Sequence, residues 1–147
     1  MKLSVTIPVA ASPDEIWPYL VNYEQRRLWE TDLESLQYDS PVALGTTGTM
    51  KLADMPAMAF TLVQATPGHV IADQVATPDG GRLTFTHTIT VSDGTTWLTQ
   101  EVSLDKPEYE VTDLEFLCGV FADTPQAAWR LKEVVENAAP RDETRNG

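Results

Sequence analysis

Apolar and polar side chains alternate along much of this chain. In "LTFTHTITV", Leu83, Phe85, Ile89 and Val91 share one face, and Thr84, Thr86, Thr88 and Thr90 share the other. That two-residue period marks a half-buried strand. The same pattern places Leu3, Val5, Ile7 and Val9 on one face of an N-terminal strand. Between about Glu34 and Leu104, turn signals ("TPGH", "TPDGG", "SDGT") separate the apolar runs "GTMKLA", "MAFTLVQA", "HVIADQVAT", "RLTFTHTITV" and "TWLTQEVSL". With a strand around Leu36 and the N-terminal one, about seven antiparallel strands are predicted.

Two regions carry the helical period instead. After the first strand comes "SPDEIWPYLVNYEQRRLWE", where Ser12 and Glu15 form a capping box and Pro13 takes the first helical position. Ile16, Trp17 and Leu20 supply the apolar stripe, and Pro18 limits regularity because it has no N–H to donate. A second short helix is predicted from Tyr23 to Trp29. Beyond Pro107, Leu114, Leu117, Cys118 and Phe121 recur at helical spacing behind a predicted capping box from Thr112 to Glu115. A fresh start at Thr124 and Pro125 places Ala128, Leu131, Val134, Val135 and Ala138 on one side. A sheet with one apolar face needs a cover, and this C-terminal helical region is the only element large enough. The expected fold class is α+β, in one domain over residues 1–139, with a disordered polar tail over 140–147.

The hairpin signal also fixes a register. With Asp93 and Gly94 as the central turn residues, Ile89 faces Leu98, His87 faces Gln100, Phe85 faces Val102 and Leu83 faces Leu104. Slipping by one residue would set the same apolar face against Trp97, Thr99, Glu101 and Ser103, so Trp97 is expected outside. His87 and Gln100 are therefore a polar pair on an apolar wall. They either satisfy each other as a core pair or point into a pocket and bond a ligand carbonyl or hydroxyl. Asp73 is a further partner for His87 as an acid/base unit, although the register between their strands is open by one residue.

Composition narrows the function classes. The chain has 147 residues, is 42% apolar and carries a formal charge of −12, which disfavours nucleic acid and anionic membrane surfaces as partners. No apolar run approaches the ~18 residues of a membrane span. The alternating "MKLSVTIPV" reads as a strand and not a signal peptide, so a cytoplasmic location is expected. The single cysteine, Cys118, cannot form an internal disulfide and is expected as buried packing. Two histidines, His69 and His87, show no metal-ligand spacing, and no phosphate-binding or nucleophile motif is present. No cofactor or metal is called for. Arg26 and Arg27 can hold a carboxylate at a pocket rim, but they fit the commoner arrangement of solvated charge on a helix, and Arg82 reads the same way.

The order of strand, two short helices, six strands and C-terminal helix resembles the START/Bet v 1-like (SRPBCC) superfamily, including polyketide cyclase/dehydrase-like proteins. The resemblance rests on "SPDEIWPYLVNYEQRRLWE", "GTTGTM" and "AWRLKEVVENA", and runs from Leu3 to Ala138. It implies a helix-grip fold, with a bent sheet wrapped around the last helix and an internal cavity for an apolar or amphipathic small molecule. His87, Gln100, Trp29, Phe85, Phe116, Leu117 and Phe121 are the expected ligand-binding residues. The superfamily usually has one uninterrupted last helix, whereas Gly119 and Pro125 divide this one. Carriage of an apolar ligand is the leading expectation. A polyketide cyclase or aromatase using His87 as acid or base is an alternative, and a protein-interaction module without a ligand is another. Neither the catalytic residues nor the oligomeric state follow from the sequence.

Overall fold

A computed structural model describes residues 1–138. The polar tail expected over 140–147 lies outside the described residues. The elements run β1 (Lys2–Val9), α1 (Pro13–Val21), α2 (Tyr23–Arg26), β2 (Leu33–Tyr38), β3 (Thr47–Leu52), β4 (Met58–Thr66), β5 (Val70–Ala76), β6 (Arg82–Ser92), β7 (Thr95–Asp105), α3 (Val111–Phe121) and α4 (Thr124–Ala138). Seven antiparallel strands form one open sheet in the order β1-β7-β6-β5-β4-β3-β2. The helices lie against its apolar face, which is the predicted helix-grip arrangement. Leu62, Ile71, Ile89 and Leu98 from the sheet meet Ile16, Leu20, Leu117 and Leu131 from the helices, all at most 2% exposed.

Local chemistry explains the elements. The Ser12 Oγ accepts from the Glu15 backbone N–H at 3.2 Å, and the Glu15 carboxylate accepts from the Ser12 N–H at 2.8 Å. α1 continues through Pro18, which costs one intrahelical bond, and ends as the Asn22 N–H donates to the Pro18 carbonyl at 2.9 Å. The β6–β7 register is the predicted one, His87 opposite Gln100 and Ser92 opposite Thr95. Asp93 and Gly94 turn the hairpin with φ of 52° and 79°. On the far side Gly48 is required: a Cβ there would collide with the Gln37 carbonyl and the Phe60 ring. That ring packs edge-on to Tyr38 at 5.9 Å, and the Tyr38 hydroxyl donates to the Val21 carbonyl at 2.9 Å. Sheet and α1 are thereby joined.

Two local expectations differ from the structure, and the expected division of the C-terminal helix is observed. The second helix is shorter than predicted, ending at Arg26 with turns through Trp29. The C-terminal helix does break, at Ala122 and Asp123, with Gly119 inside α3 and Pro125 in the first turn of α4. α3 is also rotated from its predicted face. Its N-cap is Glu110, boxed with Asp113, and Lys106 donates to both Asp113 and Asp79 at 2.8 Å. Anchoring Asp113 toward the sheet turns Leu117, Val120 and Phe121 inward with it and leaves Leu114, Phe116 and Cys118 outside. Cys118 is therefore exposed, not buried packing.

Candidate functional site

Among the described residues, four of the six buried polar side chains, Arg26, Asp73, His87 and Gln100, converge on one place. β6 and β7 present His87 and Gln100 side by side, 7% and 3% exposed. The β5–β6 register, open in the sequence, places Ile71 opposite His87. Asp73 is therefore two residues along on the same face, 2% exposed, a diagonal neighbour of His87. Its Oδ1 lies 3.9 Å from His87 Nε2. Direct hydrogen bonding is excluded at that separation, yet one inserted oxygen reaches both.

The helical side completes the cluster. Trp29, 3% exposed, meets His87 edge-on with ring centroids 6.1 Å apart, and its indole N–H donates to the Tyr19 carbonyl at 2.7 Å. Arg26, 4% exposed, pairs through Nε with Glu30 at 2.7 Å and lies 5.9 Å over the Trp29 ring. Its Nη1 reaches the Leu20 carbonyl at 3.4 Å.

Burial and these charges set the ionisation states. Burial pushes the Asp73 carboxyl up from 3.8 to about 6, against the pull of Arg26 and with a further push from Glu30. Burial, aided by Arg26, holds His87 down from 6.5 to about 4, although its bond to Gln100 opposes this. Burial also acts against the Arg26 charge, but Glu30 and Asp73 more than offset it. At neutral pH His87 is thus a neutral ring. Its Nδ1 contacts Gln100 Oε1, an atom that only accepts, so Nδ1 carries the proton and Nε2 is left as an acceptor. Among the described residues, both Asp73 oxygens, His87 Nε2 and Gln100 Nε2 are buried without a hydrogen-bond partner.

The expected site residues divide. His87, Gln100, Trp29 and Leu117 are buried together in the core region, and Phe85 and Phe121 pack against it half-buried. Phe116 does not join them: it is 48% exposed on the outer side of α3. Trp97 faces outward opposite Thr90, as its register requires. Arg27 is exposed, but Arg26 is not the solvated charge that helical position suggested. The sequence carried a signal for it, since Arg26, Trp29 and Glu30 fall at i, i+3 and i+4 on one face.

Two concavities open elsewhere. One of about 350 Å³ lies between Pro8–Ala11, Gly94–Thr96 and Lys132. The other, about 470 Å³, is lined by Pro125, Gln126, Trp129 and Arg130 at the start of α4. The second adjoins the cluster, because Arg130 Nε donates to the Trp29 carbonyl at 3.0 Å. Among the described residues no group of His, Cys, Asp and Glu has the arrangement of a metal site. No described helix is long and apolar enough to cross a membrane.

Known proteins share this architecture. Protein MLL2253 from Mesorhizobium loti superposes with a TM-score of 0.73 at 15% identity, covering 94% of this chain and 98% of its own. The Aha1 dimer from Colwellia psychrerythraea gives 0.68 at 17% identity, with 95% and 98% covered. DynU16, a protein in the dynemicin biosynthetic locus, gives 0.69 at 16% identity, with 95% of this chain and 48% of that one covered. At such identities the likeness is one of fold. No curated protein matches the sequence. A sequence model described as polyketide cyclase / dehydrase and lipid transport, however, matches residues 1–141. The capped α1, the sheet order and the C-terminal helices over that span agree with it, and the chain belongs to this polyketide cyclase / dehydrase and lipid transport family of the START/Bet v 1-like superfamily.

Proposed function

We propose that the protein binds an apolar or amphipathic small molecule between the sheet and its helices, with Asp73, His87 and Gln100 as the polar anchor. One observation carries this: four polar atoms of three buried side chains converge unpaired on an apolar wall. Each unpaired buried group costs roughly 1–3 kcal/mol, so a cluster of them is expensive in a core with no other use for it. Trp29, Phe85, Leu117 and Phe121 supply the apolar surroundings. Family membership favours a ligand-binding fold. The cluster is enclosed, so entry requires helices to part from the sheet, and the bond from Arg130 to Trp29 lies across that seam.

A second reading has its own observation. The Asp73 carboxyl is raised to about 6 and stands 3.9 Å from a neutral imidazole, so the two can exchange protons with one substrate oxygen. That would suit a cyclase acting on a poly-carbonyl chain, with Asp73 and His87 moving the proton.

Native mass spectrometry of freshly purified protein, followed by denaturing extraction, tests binding. The expected result is a discrete added mass that is released on unfolding and reduced in His87→Ala. A bare chain whose mass stays unchanged when apolar candidates are added overturns the binding reading and favours a protein-interaction module. Turnover of a bound poly-carbonyl compound, abolished in His87→Gln with binding retained, would select the enzyme.

A further inference from the structure

The unpaired atoms also describe what they are built to receive. Asp73 offers two oxygens and His87 offers Nε2, three acceptors in all, whereas Gln100 Nε2 is the sole unpaired donor. The guanidinium of Arg26 is already engaged by Glu30, the Leu20 carbonyl and the Trp29 ring. Its charge is therefore already paired. Resting on the binding reading above, we infer that the site selects a ligand headed by a neutral hydroxyl, an alcohol or phenol, over an ether or a carboxylate of the same shape, with Asp73 as the specificity-determining residue.

Geometry and electrostatics both lead there. One hydroxyl donates its single proton to the Asp73 carboxylate and accepts from Gln100 Nε2, pairing two of the orphaned groups at once. A carboxylate brings only acceptors to an array of acceptors, and its charge adds to that of Asp73 where solvent does not screen it. The environment resists a second negative charge and still requires a donor.

Displacement of the neutral fluorophore N-phenyl-1-naphthylamine at pH 7.5 tests the inference on the intact wild-type protein. Three competitors share one hexylphenyl body: 4-hexylphenol, 4-hexylanisole and 4-hexylbenzoate. The phenol is expected to displace the probe at a concentration at least tenfold below each of the others. In Asp73→Asn, with near-ultraviolet circular dichroism confirming the fold, the advantage of phenol over anisole should fall below threefold. An anisole or benzoate equal to the phenol overturns the headgroup selection while leaving ligand binding standing. A phenol preference that persists unchanged in folded Asp73→Asn overturns the role of Asp73. If neither the probe nor any competitor binds the wild type, the binding reading falls and this one with it.

Discussion

Asp73 and His87 are neighbours whose ionisations pull stability in opposite directions. The carboxyl of Asp73 ionises near 6 in the folded chain against 3.8 ordinarily, so the unfolded chain loses its proton first. Its contribution to stability is largest below about pH 4 and is lost as pH rises through 6. His87 is held at about 4 against 6.5, so its contribution is complete above 6.5 and is lost as pH falls toward 4. The two slopes share a window and oppose each other. Asp73→Asn removes one of them. The variant should gain on the wild type steadily between pH 4 and 6, by on the order of 2–3 kcal/mol at about 1.4 kcal/mol per pH unit. Thermal melting of both proteins from pH 4 to 7.5 reads this as a widening gap in Tm, and a constant gap would show that Asp73 titrates ordinarily. The sequence made His87 and Gln100 legible because a single polar residue interrupts an alternating strand and the hairpin turn names its partner. Asp73 was half legible, its face hanging on a register the loop between β5 and β6 did not determine. Arg26 was misread, since a buried guanidinium depends on Glu30 and Trp29 closing over it in three dimensions.

Elements were most legible where local chemistry alone decides them. The Ser12 box, the Asp93–Gly94 turn and the strand alternation are each complete within a few residues. The face of α3 is not, because Lys106 and Asp79, outside the helix, set its rotation through Asp113. That dependence left Leu114 and Cys118 exposed where helical spacing alone placed them inside, and Phe116 outside the site it was expected to line. Gly48 belongs to the same scale. Its missing Cβ admits the Phe60 ring, which in turn sets Tyr38 against α1. Gly48→Ala should destabilise by about 2 kcal/mol or more, because both a backbone carbonyl and a close-packed ring must shift. Urea unfolding measures it. Phe60→Leu in the same chain should recover only part of the loss, since the clash with the Gln37 carbonyl remains. Full recovery would place the whole constraint on the ring.

Across the whole molecule, the short segment after α2 is where sheet, first helices and last helix are tied together. Trp29 bonds Tyr19 through its indole, receives Arg130 at its carbonyl and touches His87 with its ring. The concavity beside Trp129 lies next to that junction, so solvent reaches to within one residue of the buried cluster. Trp17, Trp97 and Trp129 are all more exposed than Trp29. An indole in so dry a place emits at the blue edge of the tryptophan band, and a group arriving beside His87 changes the field on its ring. The chain thus carries its own optical indicator of what occupies its interior. Trp29→Phe should remove the blue component from the emission, and with it any spectral response to 4-hexylphenol. A response that survives the substitution would put the bound molecule somewhere other than beside this ring.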